Sequence, residues 1–322
     1  MNHDKLNLDT LTSLFADEDK AIEFVESLLW PDGPVCPHCG VLNGAYKLTS
    51  HSKGNGKRSI RRGLWKCGGC RKQFTVRVGT VFEESKLPLR KWLMAIHMMC
   101  CAKKGVSSHQ IARQVGCTQK TAWFLNHRIR EAMKLEPMAS LLGGSGQSVE
   151  ADECYIGGKP RPGSGQKSKR GRGTAKTPVA VLVERDGRAH ARVVENVDAA
   201  ELKGAIRQLV DSQSKIVTDD FASYHGIGDE FAGGHSVVNH TAKQYVNQDG
   251  EHTNTAESFI ALIKRGHYGI FHKLSKKHLG RYVNEFSFRW DHRKTSDGSR
   301  MVEAIKGAEG KRLMYREPIV QE

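Results

Sequence analysis

Apolar positions at Leu11, Leu14, Phe15, Ile22, Phe24, Val25, Leu28 and Leu29, set among acids, predict one or two short helices between Leu8 and Trp30. The turn signal Pro31-Asp-Gly-Pro34 ends them. Gln73 to Phe82 alternates apolar and polar residues in strand fashion. From Leu87 the period becomes helical. Pro88 to Met99 predicts one helix, with the proline near its first turn, where a missing N–H costs little. Ser107 to Arg130 then predicts helix, turn, helix: Ser107 or Ser108 caps the first, Gly116 permits the turn, and Thr118 caps the second. Trp123, Phe124 and Ile129 are expected in the core.

After the Gly-rich stretch Leu142 to Gln147, a segment of strand character runs to Gly158. Pro178–Glu184 and Ala189–Glu195, joined through Asp186-Gly187, predict a hairpin, because Asp-Gly is a strong short turn signal. Asp198 to Leu209 predicts a capped amphipathic helix, followed by a short strand from Lys215 to Thr218 and another at Val237 to His240. A crossover helix between strands implies a parallel strand added to an antiparallel set. Ala256, Phe259, Ile260 and Ile263 recur at helical spacing, so Glu257 and Lys264 lie along one side of a further helix.

The length of 322 residues suits two or three domains, and 50 Lys and Arg against 35 Asp and Glu give a net charge of +15, which favours an anionic partner, nucleic acid first. The charge is uneven: Lys86 to Lys134 holds ten basic residues and the single acid Glu131. Lys159 to Lys176 holds basic residues, no acid and no apolar period, and is expected to be disordered without its partner. Lys167, Lys169, Arg170 and Arg172 there are candidate phosphate contacts, as are Gln119, Lys120 and Arg128, with Asn126, for a DNA groove. The alternatives are a solvated loop and a plain helical packing unit. With no run of 18 apolar residues and no signal-peptide pattern, a cytoplasmic protein without membrane contact is expected.

Four of the eight cysteines form the pairs Cys36-Pro-His-Cys39 and Cys67-Gly-Gly-Cys70. In a reducing compartment two such knuckles read as a closed four-thiolate Zn²⁺ site that stabilises a few short strands, a zinc ribbon. A redox dithiol is the alternative, and the βαβ pattern that it needs is lacking. His38 is expected to be exposed, and Cys100, Cys101, Cys117 and Cys154 to be small buried or half-buried residues.

Asp152 and Asp219 fall at or near strand ends and Glu257 on a helix. Three such carboxylates can hold two Mg²⁺ or Mn²⁺ ions roughly 3.5–4 Å apart for in-line displacement at phosphorus, with Lys264 reaching a phosphate. Asp152-Glu-x-Tyr-x-Gly-Gly-Lys159, Thr218-Asp219 with Tyr224 beyond, His252-Thr-Asn-x-x-Glu257-Ser-Phe, Lys264-Arg-Gly and His278-Leu-x-Arg-Tyr-Val-Asn-Glu-Phe-x-Phe-Arg289 together resemble bacterial insertion-sequence transposases of the DDE type, more narrowly the zinc-ribbon-bearing ISXO-like family. The resemblance covers most of the chain. It implies an RNase H-like catalytic fold, Asp152, Asp219 and Glu257 as metal ligands, and Lys264 as their basic partner. Asn254 is an alternative third ligand, and Asp220 and Glu153 each flank a presumed one.

The expected architecture is multidomain α+β: N-terminal helices plus zinc ribbon over 1–85, a helix-turn-helix-like DNA-binding region over 86–141, an RNase H-like domain with a mixed sheet over 147–300, containing the basic loop 159–177, and a C-terminal tail over 301–322. The resemblance implies a DNA transposase that cuts and joins strands at element terminal repeats and target DNA, working as a homodimer or higher oligomer. A zinc-ribbon DNA-binding regulator with an inactive nuclease domain and an RNase H-like nuclease without strand transfer are the rival readings.

Overall fold

The computed structural model describes residues 6–48, 62–134, 141–158, 174–239, 246–247 and 250–315. The chain divides into two compact units, residues 1–133 with 295–322, and residues 134–294.

The first unit opens with α1 (Leu8–Ala16) and α2 (Glu18–Leu29), started by the side-chain caps Asn7 and Asp17. A small antiparallel sheet follows, ordered β1 (Ala45–Lys47), β2 (Trp65–Cys67), β3 (Gln73–Phe74). The alternation expected to carry a strand to Phe82 does not do so. Burial comes in the runs Phe74 to Val76 and Thr80 to Phe82, and two turns separate them around Gly79, whose φ of +76° is left-handed. Thr80 stabilises the bend by donating its hydroxyl to the Arg77 carbonyl at 2.7 Å and accepting from the Phe82 amide at 3.1 Å.

Pro88 gives α3 (Leu89–Cys101) no side-chain cap. Glu18 of α2 does this from a distance, accepting from the Leu89 amide at 2.8 Å and the Arg90 amide at 3.1 Å while Arg77 pairs with it at 3.1 Å. Then α4 (Ser108–Val115) and α5 (Gln119–Ala132) form the expected helix, turn, helix, capped by Ser107 and Thr118 and joined through Gly116 at φ +68°.

The second unit is a five-stranded mixed sheet made of β4 (Ser148–Ile156), β5 (Thr177–Glu184), β6 (Ala189–Val193), β7 (Lys215–Asp219) and β8 (His235–Val238), in the order β6-β5-β4-β7-β8. The first three strands in sequence are antiparallel, whereas β7 runs parallel to β4 and β8 parallel to β7. Asp186, at φ +60°, and Gly187 make the hairpin turn. Between β6 and β7 lies α6 (Ala199–Leu209), capped by Asp198, and it packs Leu202, Ile206 and Leu209 on the sheet face that carries Val149, Ala151, Ala180 and Leu182. The opposite face, with Cys154, Ile156, Val179, Val181 and Val183, is covered by α7 (Asn254–Gly266) and α8 (Lys276–Asp291). Period-two alternation thus sends even-numbered β4 residues towards α7 and odd ones towards α6.

Asp291 at the end of α8 accepts from the Ala189 amide at 2.8 Å, and burial pushes its carboxyl up to about 7. A carboxyl raised in the fold holds its proton longer than in the unfolded chain, so its contribution falls as pH climbs from the ordinary carboxylate range to about 7. Asp291→Asn is therefore expected to make this unit more stable at pH 8 and to flatten the decline between pH 5 and 8, as thermal melts at both pH values would record.

The segment expected as a tail is not one. After the second unit the chain returns as α9 (Asp297–Lys306), which buries Met301, Val302, Ala304 and Ile305 in the first unit. The Val81 amide then donates to the Ala308 carbonyl at 3.1 Å and the Gly310 amide to the Gly79 carbonyl at 2.9 Å. The boundary expected at 300 and the division at 85 give way to one N-terminal unit closed by its own C-terminus.

Candidate active site and zinc ribbon

The four ribbon thiols lie within 4.8 Å of one another, with Cys36 and Cys70 at 3.6 Å and Cys39 and Cys67 at 3.6 Å. Both knuckles have the same backbone. The Gly40 amide donates to the Cys36 carbonyl at 2.9 Å and the Arg71 amide to the Cys67 carbonyl at 3.1 Å, and Cys36 and Cys67 donate in turn to the Val41 and Lys72 carbonyls, each at 3.0 Å. Gly40 and Arg71 are both left-handed, at φ +74° and +63°. A hydrogen bond from the backbone of Cys70 draws the Cys67 thiol down to about 7, while, against a backbone hydrogen bond from Lys72, burial and the neighbouring thiols push Cys70 up to about 11. The four thiols thus share their protons as one set, and Cys67 is the first to become a thiolate. Four sulfur donors in two superimposable turns fit a tetrahedral Zn²⁺. His38 is exposed, with Nε2 3.4 Å from the Gln73 carbonyl oxygen, outside the sulfur cluster. Of the remaining cysteines, Cys100 and Cys154 are buried and Cys101 and Cys117 half-buried, as expected.

In the second unit, the parallel ladder pairs Ala151 with Thr218, so its next step sets Asp152, which lies midway along β4 and not at the strand end expected, beside Asp219, the last residue of β7. Both have the parity that points towards α7. Glu257 is exposed in the first turn of α7, and Ala256, Phe259, Ile260 and Ile263 anchor the buried side of that helix. The charges interact. Burial, then the carboxylates of Glu153, Asp219 and Glu257, push Asp152 up to about 7, against a 2.6 Å hydrogen bond from the Glu153 amide. A divalent cation would relieve that accumulation of negative charge, so the donor set fits an oxygen-ligated Mg²⁺ or Mn²⁺. The three carboxylates do not close to within 4.8 Å of one another as the thiols do. Lys264, exposed on α7, pulls down on the Cys154 thiol, which burial pushes up to about 12, so its charge is felt two residues from Asp152. Asn254 is exposed at the start of α7, one turn before Glu257.

The flanking acids go elsewhere. Glu153, of opposite parity, accepts from the Tyr224 hydroxyl at 3.3 Å, and Asp220 accepts from Asn239 at 3.0 Å. Motif and spacing do not single out Glu150, yet it is fully buried, with parity matching Asp152, and it accepts from the Ala256 amide at 2.9 Å and the Thr255 hydroxyl at 2.8 Å. The legible signal is its parity: a carboxylate on the strand face shared with Cys154 and Ile156 must be paired.

Among the candidate DNA contacts, Gln119 and Lys120 are exposed at the start of α5. Arg128 and Asn126 are not available to a groove, being 5% and 1% exposed. The Arg128 guanidinium donates to the Glu83 carbonyl and lies over the Trp92 and Phe124 rings at 5.3 and 5.6 Å, and burial lowers it to about 10. It is a packing residue, because the second half of α5 faces the core of its unit. Trp123 and Phe124 are half-buried and Ile129 is buried. Lys167, Lys169, Arg170 and Arg172 lie outside the described residues.

Residues 141–291 match the ISXO2-like transposase domain and residues 16–73 the transposase zinc-ribbon domain. An uncharacterised protein in the transposable element ISH50 of Halobacterium salinarum is 28% identical over 289 residues, which are 85% of this chain and 91% of that protein. That relative is archaeal, so the likeness is not confined to bacteria. Two solved structures, a Mos1 transposase paired-end complex with the left transposon end and the Mos1 strand transfer complex, are each 15% identical to this chain. They cover 71% and 72% of it and 82% of their own chains, with TM-scores of 0.27 and 0.30.

Proposed function

We infer, from a transposase domain over 141–291 preceded by a transposase zinc ribbon and from the ISH50 relative, that this chain is an insertion-sequence transposase of the IS1595 family acting through three carboxylates. The observation that carries the chemistry is the register that sets Asp152 beside Asp219, with Glu257 charged towards Asp152 from the facing helix. The sheet order, three antiparallel strands extended by two parallel ones, supports an RNase H-like catalytic domain.

Asp152, Asp219 and Glu257 would hold the divalent ions, with Asn254 one turn away as the alternative third ligand. Divalent ions held by these residues would supply Lewis-acid stabilisation of the charge that develops at phosphorus. Lys264 holds a phosphate by charge at the far end of the same helix. Water attacks phosphorus at the element end, the P–O3′ bond breaks and a 3′-OH is released. That hydroxyl then attacks a target phosphodiester at the same site, forming a new P–O bond to the element's 3′ oxygen as the target's own P–O3′ bond breaks and leaves a target 3′-OH.

Gln119 and Lys120, exposed at the start of α5, would meet the major groove, and the basic residues of 159–177 would neutralise phosphates. Lys120→Ala is expected to weaken binding of element-end DNA and to lower the slope of log affinity against log salt by about 1, as a titration from low to high salt would measure. The protein would work in the cytoplasm as a homodimer or higher oligomer on paired ends. Among the described residues no helix is long and apolar enough to cross a membrane.

The test is incubation of labelled element-end DNA with a target plasmid and Mg²⁺ or Mn²⁺. Joined products establish a transposase. Cleavage without joining selects a stand-alone nuclease, and binding with neither selects a regulator.

A further inference from the structure

Glu150 joins the two halves of the carboxylate site. It lies two residues before Asp152 on β4 with the same parity, about 7 Å along the strand, and it is 0% exposed. Across the sheet face, the N-cap residue Thr253 gives α7 no side-chain cap. Glu150 takes that role from the neighbouring strand: Oε2 accepts from the Ala256 amide at 2.9 Å and Oε1 from the Thr255 hydroxyl at 2.8 Å. Ala256 immediately precedes Glu257. A carboxylate at a helix N-terminus satisfies amides that would otherwise lack acceptors and complements the helix dipole.

The buried charge is balanced from two further segments. Arg185, at the hairpin between β5 and β6, donates Nε to Glu150 at 3.3 Å and Nη2 to the His252 carbonyl at 3.2 Å, and His252 Nδ1 lies 3.3 Å from Glu150. Arg185 also pairs with Glu251 at 2.9 Å, as does Lys215 at the start of β7. The strand carrying Asp152, the strand carrying Asp219 and the segment leading into the helix that carries Glu257 are therefore tied together by one partly buried ionic network centred on Glu150.

We propose that Glu150 is a positioning residue, which through the first turn of α7 fixes Glu257 relative to Asp152 at the separation that divalent metal binding needs. This rests on the reading of the three acids as metal ligands. Residues that orient metal ligands typically contribute tenfold to a hundredfold to metal affinity. Glu150→Gln keeps the size but sets an amide N–H₂ against the Ala256 amide or Arg185, donor facing donor.

The experiment measures Mn²⁺ binding to the full-length, zinc-loaded protein by electron paramagnetic resonance, and amide exchange over residues 253–260 by mass spectrometry. Glu150→Gln should weaken Mn²⁺ about tenfold and speed exchange in the first turn of α7, with DNA binding unchanged. Thr255→Val, which removes a single hydrogen bond, should weaken Mn²⁺ by roughly threefold and decides the matter if Glu150→Gln does not fold. Glu285→Gln, at another fully buried carboxylate, paired with Arg289 in α8, should leave Mn²⁺ affinity unchanged. Wild-type Mn²⁺ affinity in the Glu150 and Thr255 variants, with or without faster exchange, overturns the positioning role while the ligand reading stands. If Asp152→Asn and Asp219→Ala bind Mn²⁺ as wild type does, the ligand reading itself falls and takes the positioning role with it.

Discussion

Asp152→Asn is expected to abolish strand cleavage and strand transfer while leaving the protein folded and bound to DNA. The substitution keeps the shape and the oxygen that accepts the Glu153 amide at 2.6 Å, and removes the carboxylate on which the charges of Glu153, Asp219 and Glu257 converge. A metal site that loses an anionic ligand loses on the order of 4 kcal/mol of transition-state stabilisation, roughly a thousandfold in rate. The same change has the opposite sign for the fold. Removing a buried carboxylate from a cluster of like charges relieves repulsion, so without divalent ions the variant should melt above wild type. Added Mn²⁺ should raise the wild-type melting temperature and leave that of the variant almost unmoved, since only a ligand that binds the folded state stabilises it. Rate and melting temperature moving in opposite directions would separate a metal-binding acid from a structural one. A variant that cleaves within tenfold of wild type would remove Asp152 from the site.

The second large effect belongs to the ribbon. Its sheet has strands of three, three and two residues, and its buried cluster is Cys36, Cys67 and Phe74, with Trp30 and Trp65 packed at the side. So little apolar surface cannot offset the conformational entropy of the loop residues. Apparent metal-binding free energies of about 10–16 kcal/mol in small zinc domains are what close the difference. Chelation, or Cys39→Ser, should unfold the ribbon. The readout is the environment of Trp65, whose indole N–H donates to Glu26 at 2.8 Å and whose ring meets Trp30 edge to face at 6.0 Å. Its fluorescence should shift to the red on chelation and recover with added Zn²⁺, at one ion per chain by native mass spectrometry. An unchanged spectrum after complete removal of metal would show that the ribbon folds by packing alone.

Features set by neighbours in sequence are legible in the chain itself. The two Cys-x-x-Cys turns, the Asp186-Gly187 hairpin, the caps Ser107, Thr118 and Asp198, and the strand-end place of Asp219 all depend on interactions spanning a few residues, whereas Asp152 lies mid-strand because β4 continues to Ile156. Alternation alone misleads: Gln73 to Phe82 has the pattern of a strand, but left-handed Gly79 and the Thr80 side chain fold it into turns. Arg128 has the composition of a groove contact, yet its position on the inner side of α5 puts it over Trp92 and Phe124. Helical phase relative to a core cannot be read until the core is known.

Hydrogen-bonding chemistry and side-chain period act locally, so the order of residues is enough to predict most of the elements and to pick out the four cysteines and the candidate acids. It takes the folded arrangement to make α9 close the N-terminal unit, to stand Asp152 beside Asp219 in register, and to have Glu150 cap α7 from another strand. Each of those depends on which surfaces, far apart in the chain, exclude water from one another, and Glu150 meets an amide 106 positions away, a partner that no window of local sequence contains.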